Sequence, residues 1–92
     1  MDIETKIKEL KILLPTAKDP VGSYVATKEI GKLLYISGQI SVDKDGNLIK
    51  GKLGNELTTE QGYEAAKNCA LGIISQAKKH LLGDLSKIKS CV

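Results

Sequence analysis

Tyr35 to Val42 reads YISGQISV, setting a hydroxyl, a bare backbone and an amide in succession at Ser37, Gly38 and Gln39. Such a trio could serve a small ligand: glycine lets backbone come close to it, and the neighbouring hydroxyl can donate or accept a hydrogen bond. The same residues read equally as a bulge at Gly38, with Ser37 on the polar face of a strand. Residue types alone leave both readings open.

Other chemistry is thin. His80 is the single histidine and sits beside Lys78 and Lys79 at an expected helix end, where a cation suits the helix dipole. It is far in sequence from any nucleophile elbow, so no Ser-His-acid order is supported. Cys69 and Cys91 lie 22 positions apart with no metal-like spacing, which predicts packing residues and neither a metal site nor a redox pair. Glu60 and Glu64 are paired carboxylates, but at helical spacing they are expected to face water.

Two phosphate- and calcium-like patterns also fail. Gly46 to Lys52 spells G-x-x-x-x-G-K, yet Leu53 replaces the hydroxyl that would hold magnesium and no helix is expected to start there. Asp43, Asp45 and Asn47 copy the first three oxygen positions of a calcium loop, but Leu48 stands where its glycine belongs and Gly54 where its acid belongs. No metal and no cofactor is expected.

The elements that must position these residues are legible in outline. Ile3, Ile7, Leu10 and Leu14 form one apolar stripe, predicting a helix over 1–14 that Asp2 caps and Pro15 stops. SYVATKEI and KLLYISGQISV read as strands joined at Gly31, an antiparallel hairpin. DKDGN turns the chain into a third extended stretch, LIKGKL, before Gly51 and Gly54 break regularity, so strands fill 22–53.

The strongest helix signal covers 58–82: Thr58 and Gln61 match a capping box, and Gly83 provides the stop. Ala66, Cys69, Ala70, Ile73, Ala77 and Leu81 are expected on its packed face, with Gly72 on the flank. Leu85 and Ile88 then suggest a strand over 85–92 on which the chain ends.

At 92 residues the chain is one domain at most, and 41% hydrophobic with 27% charged residues is ordinary globular usage. The apolar runs are far shorter than the roughly 20 residues of a membrane span, and the charged opening is no secretory signal. No membrane partner and a cytoplasmic location are expected. The net charge of +3 comes from dispersed lysines with only three aromatics, so nucleic acid is not an expected partner. All fourteen basic residues are lysine. The chain therefore lacks the planar two-pronged donor with which arginine orients a carboxylate.

The stretches VGSYVATKEIGKLLYISGQISV and GKLGNELTTEQGYEAAKNCALGI resemble the reactive intermediate deaminase family, also called Rid, YjgF or L-PSP, in its longer form with an extra N-terminal helix. The resemblance runs over essentially all 92 residues. It implies an α+β (α/β) chorismate-mutase-like domain ordered helix, antiparallel β-β-β, long helix and the start of a further strand. It also implies trimers with ligand clefts between subunits, and hydrolysis of 2-imino acids to 2-oxo acids and ammonia; some members are described as ribonucleases that inhibit translation. The matching positions are Tyr24, which would line the cleft, and Ser37 and Gly38, which would lie against the ligand.

The departure from the family is as large as the match. Family members continue with further strands, a second helix, an arginine that grips the substrate carboxylate and an acid that positions water. The expectation is therefore a single incomplete domain over 1–92, with its C-terminal half missing and with little or no deaminase activity alone. A complementing polypeptide could complete a split enzyme, homo-oligomerisation is expected in its place otherwise, and an RNA-associated translation inhibitor is the remaining alternative. Catalytic residues stay unassigned.

Overall fold

A computed structural model of the chain describes residues 3–17, 19–20 and 22–92. The elements are α1 (Ile3–Glu9), β1 (Thr27–Ile30), β2 (Leu33–Ile36), α2 (Thr59–His80) and a 3-10 turn at Leu85–Lys87. The α+β class is as expected, with a helix, an antiparallel hairpin and a long helix in that order, but the third strand and the final strand of the expected order do not form.

Helix α1 is shorter than the apolar stripe suggests. It ends at Glu9, and Pro15 does not stop it: Lys11 takes a left-handed conformation (φ 54°) and the Ile12 N–H reaches back to the Ile7 carbonyl at 3.1 Å. That bond closes the helix as a Schellman motif does, with lysine where glycine is usual. Asp2, the expected cap, lies outside the described residues.

In the hairpin, Thr27 pairs with Ile36 and Ile30 with Leu33, leaving Gly31 and Lys32 as a two-residue loop. Gly31 has φ 59° and Lys32 no positive φ, the II′ pattern whose twist matches that of the strands. Both strands are shorter than expected. Val25 and Ala26 precede β1, and Ser37, Gly38 and Gln39 follow the end of β2. The expected third strand is reduced to isolated bridges, Val42 with Leu48 and Leu53 with Leu57. Between the first pair Asp43 organises the turn, its Oδ1 accepting from the N–H groups of Asp45 and Asn47, both at 2.9 Å.

The start of α2 is as the sequence dictates. Thr58 caps it, its hydroxyl accepting from the Gln61 N–H at 3.1 Å while the Thr58 N–H donates to Gln61 Oε1 at 2.8 Å. It closes through left-handed Leu82 and Gly83, with the Gly83 N–H on the Lys78 carbonyl at 2.8 Å.

The packed face of α2 differs from expectation. Gly62 meets Leu53, Gly72 meets Gln39, Gln76 is buried and His80 bonds to β1, so the inward line runs Gly62, Ala65, Cys69, Gly72, Gln76, His80. Ala66, Ala70 and Ile73 are exposed, and only Cys69, Ala77 and Leu81 of the expected set are covered. Small residues occur all round this helix, so apolar periodicity marks no face. The glycines decide, because the hairpin and its extensions come closest where no Cβ intervenes.

The expected strand at 85–92 is corrected as well. Asp84 caps the 3-10 turn by accepting from the Ser86 N–H and hydroxyl, and Leu85 is buried beside α1. Leu85 and Ile88 are three apart, which suits a 3-10 repeat better than the two-residue period of a strand.

The core is small. Among the described residues only Ala77 and Leu85 are fully buried hydrophobics, while Tyr63, Ile73, Ile30, Leu33 and Tyr35 are exposed. The radius of gyration, 14.4 Å, exceeds the roughly 12 Å of a compact domain of this length. The accessible surface is 7404 Å², against about 5,200 Å² for a compact monomer of this mass.

Candidate functional site

Where β2 ends, the chain does not turn away from the hairpin at once. The Ser37 N–H donates to the Ala26 carbonyl at 3.0 Å, and the Ser37 hydroxyl donates to the same oxygen at 3.2 Å. One more rung is thus added beyond the strands, half of it made by a side chain. Gln39 then folds back, its Nε2 donating to the Ser37 carbonyl at 3.2 Å. Gly38, between them, has no atom beyond its two chain neighbours within 4 Å of where a Cβ would stand.

This segment forms one wall of a cleft of about 500 Å³. The opposite wall is α2, through Asn68, Leu71, Gly72, Ser75 and Gln76, and the α1–β1 connection closes a third side. The connection is fastened to the helix by the Ser75 hydroxyl, which donates to the Pro15 carbonyl at 2.8 Å. Tyr24, Ser37 and Gly38, the three positions singled out from the sequence, all line this cleft. Tyr24 is 45% exposed, Ser37 half-buried and Gly38 exposed.

The cleft is lined mostly by apolar groups, among them Leu13, Leu14, Ile40, Val42 and Leu71. Lys44 is the cation among its described lining residues, against the carboxylates of Asp19 and Asp43. Asp19 is 3.8 Å from Lys79 across open solvent, and Asp43 Oδ1 is engaged by its own turn. Its remaining polar groups are mainly hydroxyls and amides: they can orient a small polar molecule, but lysine offers a carboxylate only a point charge.

A second cluster, at the far end of α2, is not signalled by any motif. His80 Nδ1 lies 3.1 Å from Thr27 Oγ1 and its Nε2 lies 2.8 Å from Glu29 Oε1. Thr27 and Glu29 are two apart on β1, so both side chains leave the same face of the strand. Hydroxyl, imidazole and carboxylate stand in relay order, but none of the three lines the cleft. Their evident work is to fasten α2 to the hairpin. Only the i, i+2 spacing of Thr27 and Glu29 could have hinted at it, because the partners are 51 and 53 positions from His80.

Of the other motifs, Glu60 and Glu64 are exposed, Cys69 and Cys91 are free, and Gly46–Lys52 lies in a turn and a bridge with no helix following. No helix among the described residues is long and apolar enough to cross a membrane.

No family model matches the chain. It is 37% identical over 90 residues to Protein TCP17 of Trypanosoma cruzi, a match covering 98% of this chain and 56% of that protein. Among solved structures it is similar to the protein Atu1372 of Agrobacterium tumefaciens, whose function is unknown, with 37% identity and a TM-score of 0.80 over 98% of this chain and 54% of that one. It is also similar to a protein of Shewanella oneidensis MR-1 described as a "putative endoribonuclease", with 31% identity and a TM-score of 0.87, covering 98% and 59% of the two chains. The chain thus shares its fold with both structures and spans somewhat over half the length of the proteins it matches.

Proposed function

We propose that this chain is part of a reactive intermediate deaminase domain of the Rid/YjgF/L-PSP kind. In this reading the cleft takes a small 2-imino acid once further polypeptide completes the site, and the chain alone has little or no activity. The observation that carries it is the convergence of Tyr24, Ser37 and Gly38 on one cleft that has Lys44 but no arginine. The likeness to the Shewanella structure supports the family assignment.

The chemistry sets the limit. Water must attack the C=N carbon of an imine whose carboxylate is held still, and ammonia then leaves. A charged hydrogen bond is worth roughly 1.5–3 kcal/mol, so loss of a bidentate pair removes several powers of ten in rate. Ser37 and Tyr24 can touch the ligand, but neither replaces that grip. The excess exposed surface, roughly 2,200 Å², supports completion by more polypeptide: the rest of a split deaminase or further copies in a trimer. A cytoplasmic setting fits such a labile substrate.

The test is a mixing experiment. Hydrolysis of a 2-imino acid generated in situ is followed with this chain, with a polypeptide carrying the remaining part of a related domain, and with both. We expect background rates from the chain alone and a gain on mixing that Tyr24→Phe and Ser37→Ala reduce. Full turnover by the pure chain would overturn the reading, and no gain on mixing would remove the split enzyme.

The description of the Shewanella protein favours one second reading, an RNA-associated protein. It requires binding to single-stranded RNA that weakens steeply with salt. The dispersed lysines argue against it, and salt-independent or absent binding discards it.

A further inference from the structure

We propose that Gln39 is a positioning residue for the Ser37–Gly38 wall of the cleft, and that Gly72 is the position on α2 that lets it act. This rests on the reading above that Ser37 and Gly38 face the ligand. The last hairpin rung is the Ser37 N–H on the Ala26 carbonyl, and the chain leaves the ladder after it, with no backbone N–H on the Ser37 carbonyl. Gln39 supplies the missing donor from two residues on, its Nε2 standing 3.2 Å from that oxygen. Together with the two bonds from Ser37 to the Ala26 carbonyl, at 3.0 and 3.2 Å, this holds Ser37 through its N–H, its hydroxyl and its carbonyl. Gly38 is thereby left bare toward the cleft.

The amide can fold back only because α2 leaves room. A Cβ at position 72 would stand 3.0 Å from Gln39 Oε1 and 3.5 Å from its Cβ and Cγ. Glycine is disfavoured in a helix interior, and this contact gives it a physical reason to be there. A methyl group at 72 has to push the Gln39 amide aside by a few tenths of an ångström, which strains the bond from its Nε2 to Ser37.

The experiment is an NMR study of the 92-residue chain without ligand, so its outcome is independent of the imine assay. In the wild type, a scalar coupling across the hydrogen bond from Gln39 Nε2 to the Ser37 carbonyl carbon is expected. Gln39→Met keeps the bulk against Gly72 without the donor, and Gln39→Glu keeps the shape with an acceptor in its place. Both should shift the Ser37 carbonyl resonance and speed exchange of the Ser37 N–H by about fivefold, with the global unfolding midpoint little changed. Gly72→Ala should give the same local signature in weaker form, with the coupling reduced. Absence of the coupling in the wild type overturns the proposal, whatever the variants do. So does a Gln39→Met protein with wild-type Ser37 exchange and shift, since Gln39 would then serve only as packing.

Discussion

The imidazole of His80, the last residue of α2, lies 2.8 Å from the carboxylate of Glu29 on β1, and its other nitrogen lies 3.1 Å from the Thr27 hydroxyl. One side chain therefore ties the end of the long helix to the first strand of the hairpin. The cleft lies between the same helix and the segment that follows β2, so the clasp holds a joint beside it without lining it.

Replacing His80 with alanine removes both bonds and opens the joint. The side chain is one-quarter exposed and Glu29 about half exposed, so the pairing with Glu29 is largely screened by solvent. A loss of about 1–2 kcal/mol is expected in urea unfolding. His80→Asn, which can keep one of the two bonds, should lose about half as much. A His80→Ala protein as stable as wild type would show that the helix is held by packing alone.

The capping box of α2 is a purely local device, so its effect should be local and additive with the clasp. Thr58→Ala leaves the Gln61 N–H without its acceptor and should cost about 1 kcal/mol. The double variant Thr58→Ala/His80→Ala should equal the sum within about 0.5 kcal/mol, because the two sites stand at opposite ends of a helix of 22 residues.

What was legible in the sequence follows this divide between local and distant partners. The capping box, the Gly31 turn and the Gly83 stop are each written within a few residues, and all three stand as read. The inward face of α2 was legible only in part: Cys69, Ala77 and Leu81 are covered as expected, but Ala66, Ala70 and Ile73 face outward because Leu53 and Gln39 come closest at the glycines. The joint at His80 has partners more than 50 positions away, and no pattern near His80 signals them. The cleft is intermediate. The composition of Ser37–Gly38 suggests a contact surface, but nothing around Tyr24 says that it shares that surface, and only the family resemblance brought it in.

Asp84 gives a pH dependence of definite sign. The Ser86 hydroxyl lowers its pKa below the ordinary carboxylate value, and the Ser86 N–H and the Lys87 charge lower it further, against an opposing effect of desolvation. A depressed folded value means that the ionised form favours the folded turn. The contribution is complete above the unfolded carboxylate range and is lost as pH falls through the lower folded value. In a carboxyl-resolved NMR titration, Asp84 should titrate below a peptide control, and Ser86→Ala should move its midpoint upward. An unchanged midpoint in Ser86→Ala would refute the assigned cause.

Leu82 adopts a left-handed conformation (φ 54°) while 94% exposed. Its side chain gains almost nothing from packing, whereas an L-residue there carries about 1–2 kcal/mol of steric cost that glycine avoids. Glycine loses more backbone entropy on folding, which cancels part of the gain. Leu82→Gly should therefore stabilise the chain by about 0.5–1 kcal/mol, an increase readable as a higher urea midpoint. A lower midpoint would show that Leu82 makes a contact in solution, as it would in a self-associated chain.

The exposed surface makes a prediction about the chain as a whole. An extended chain of 9.9 kDa exposes about 14,000 Å² and a compact fold of that mass about 5,200 Å², whereas this one retains 7404 Å². Folding the chain alone thus buries only about three-quarters of the area that a compact domain would bury. The urea m-value scales with that area, so it should be about three-quarters of the value for a compact domain of 92 residues. Adding a polypeptide that covers Tyr63, Ile73 and the open hairpin should raise both the m-value and the midpoint, since ligands of the folded state stabilise it by mass action. Light scattering over a concentration series separates the two routes to completion: self-association raises the mass of the isolated chain, whereas a need for a different partner leaves it near 9.9 kDa with the low m-value. A monomer that unfolds with the full m-value of a compact domain would mean that the open surface closes on itself in solution, and the case for a completing partner would fall with it.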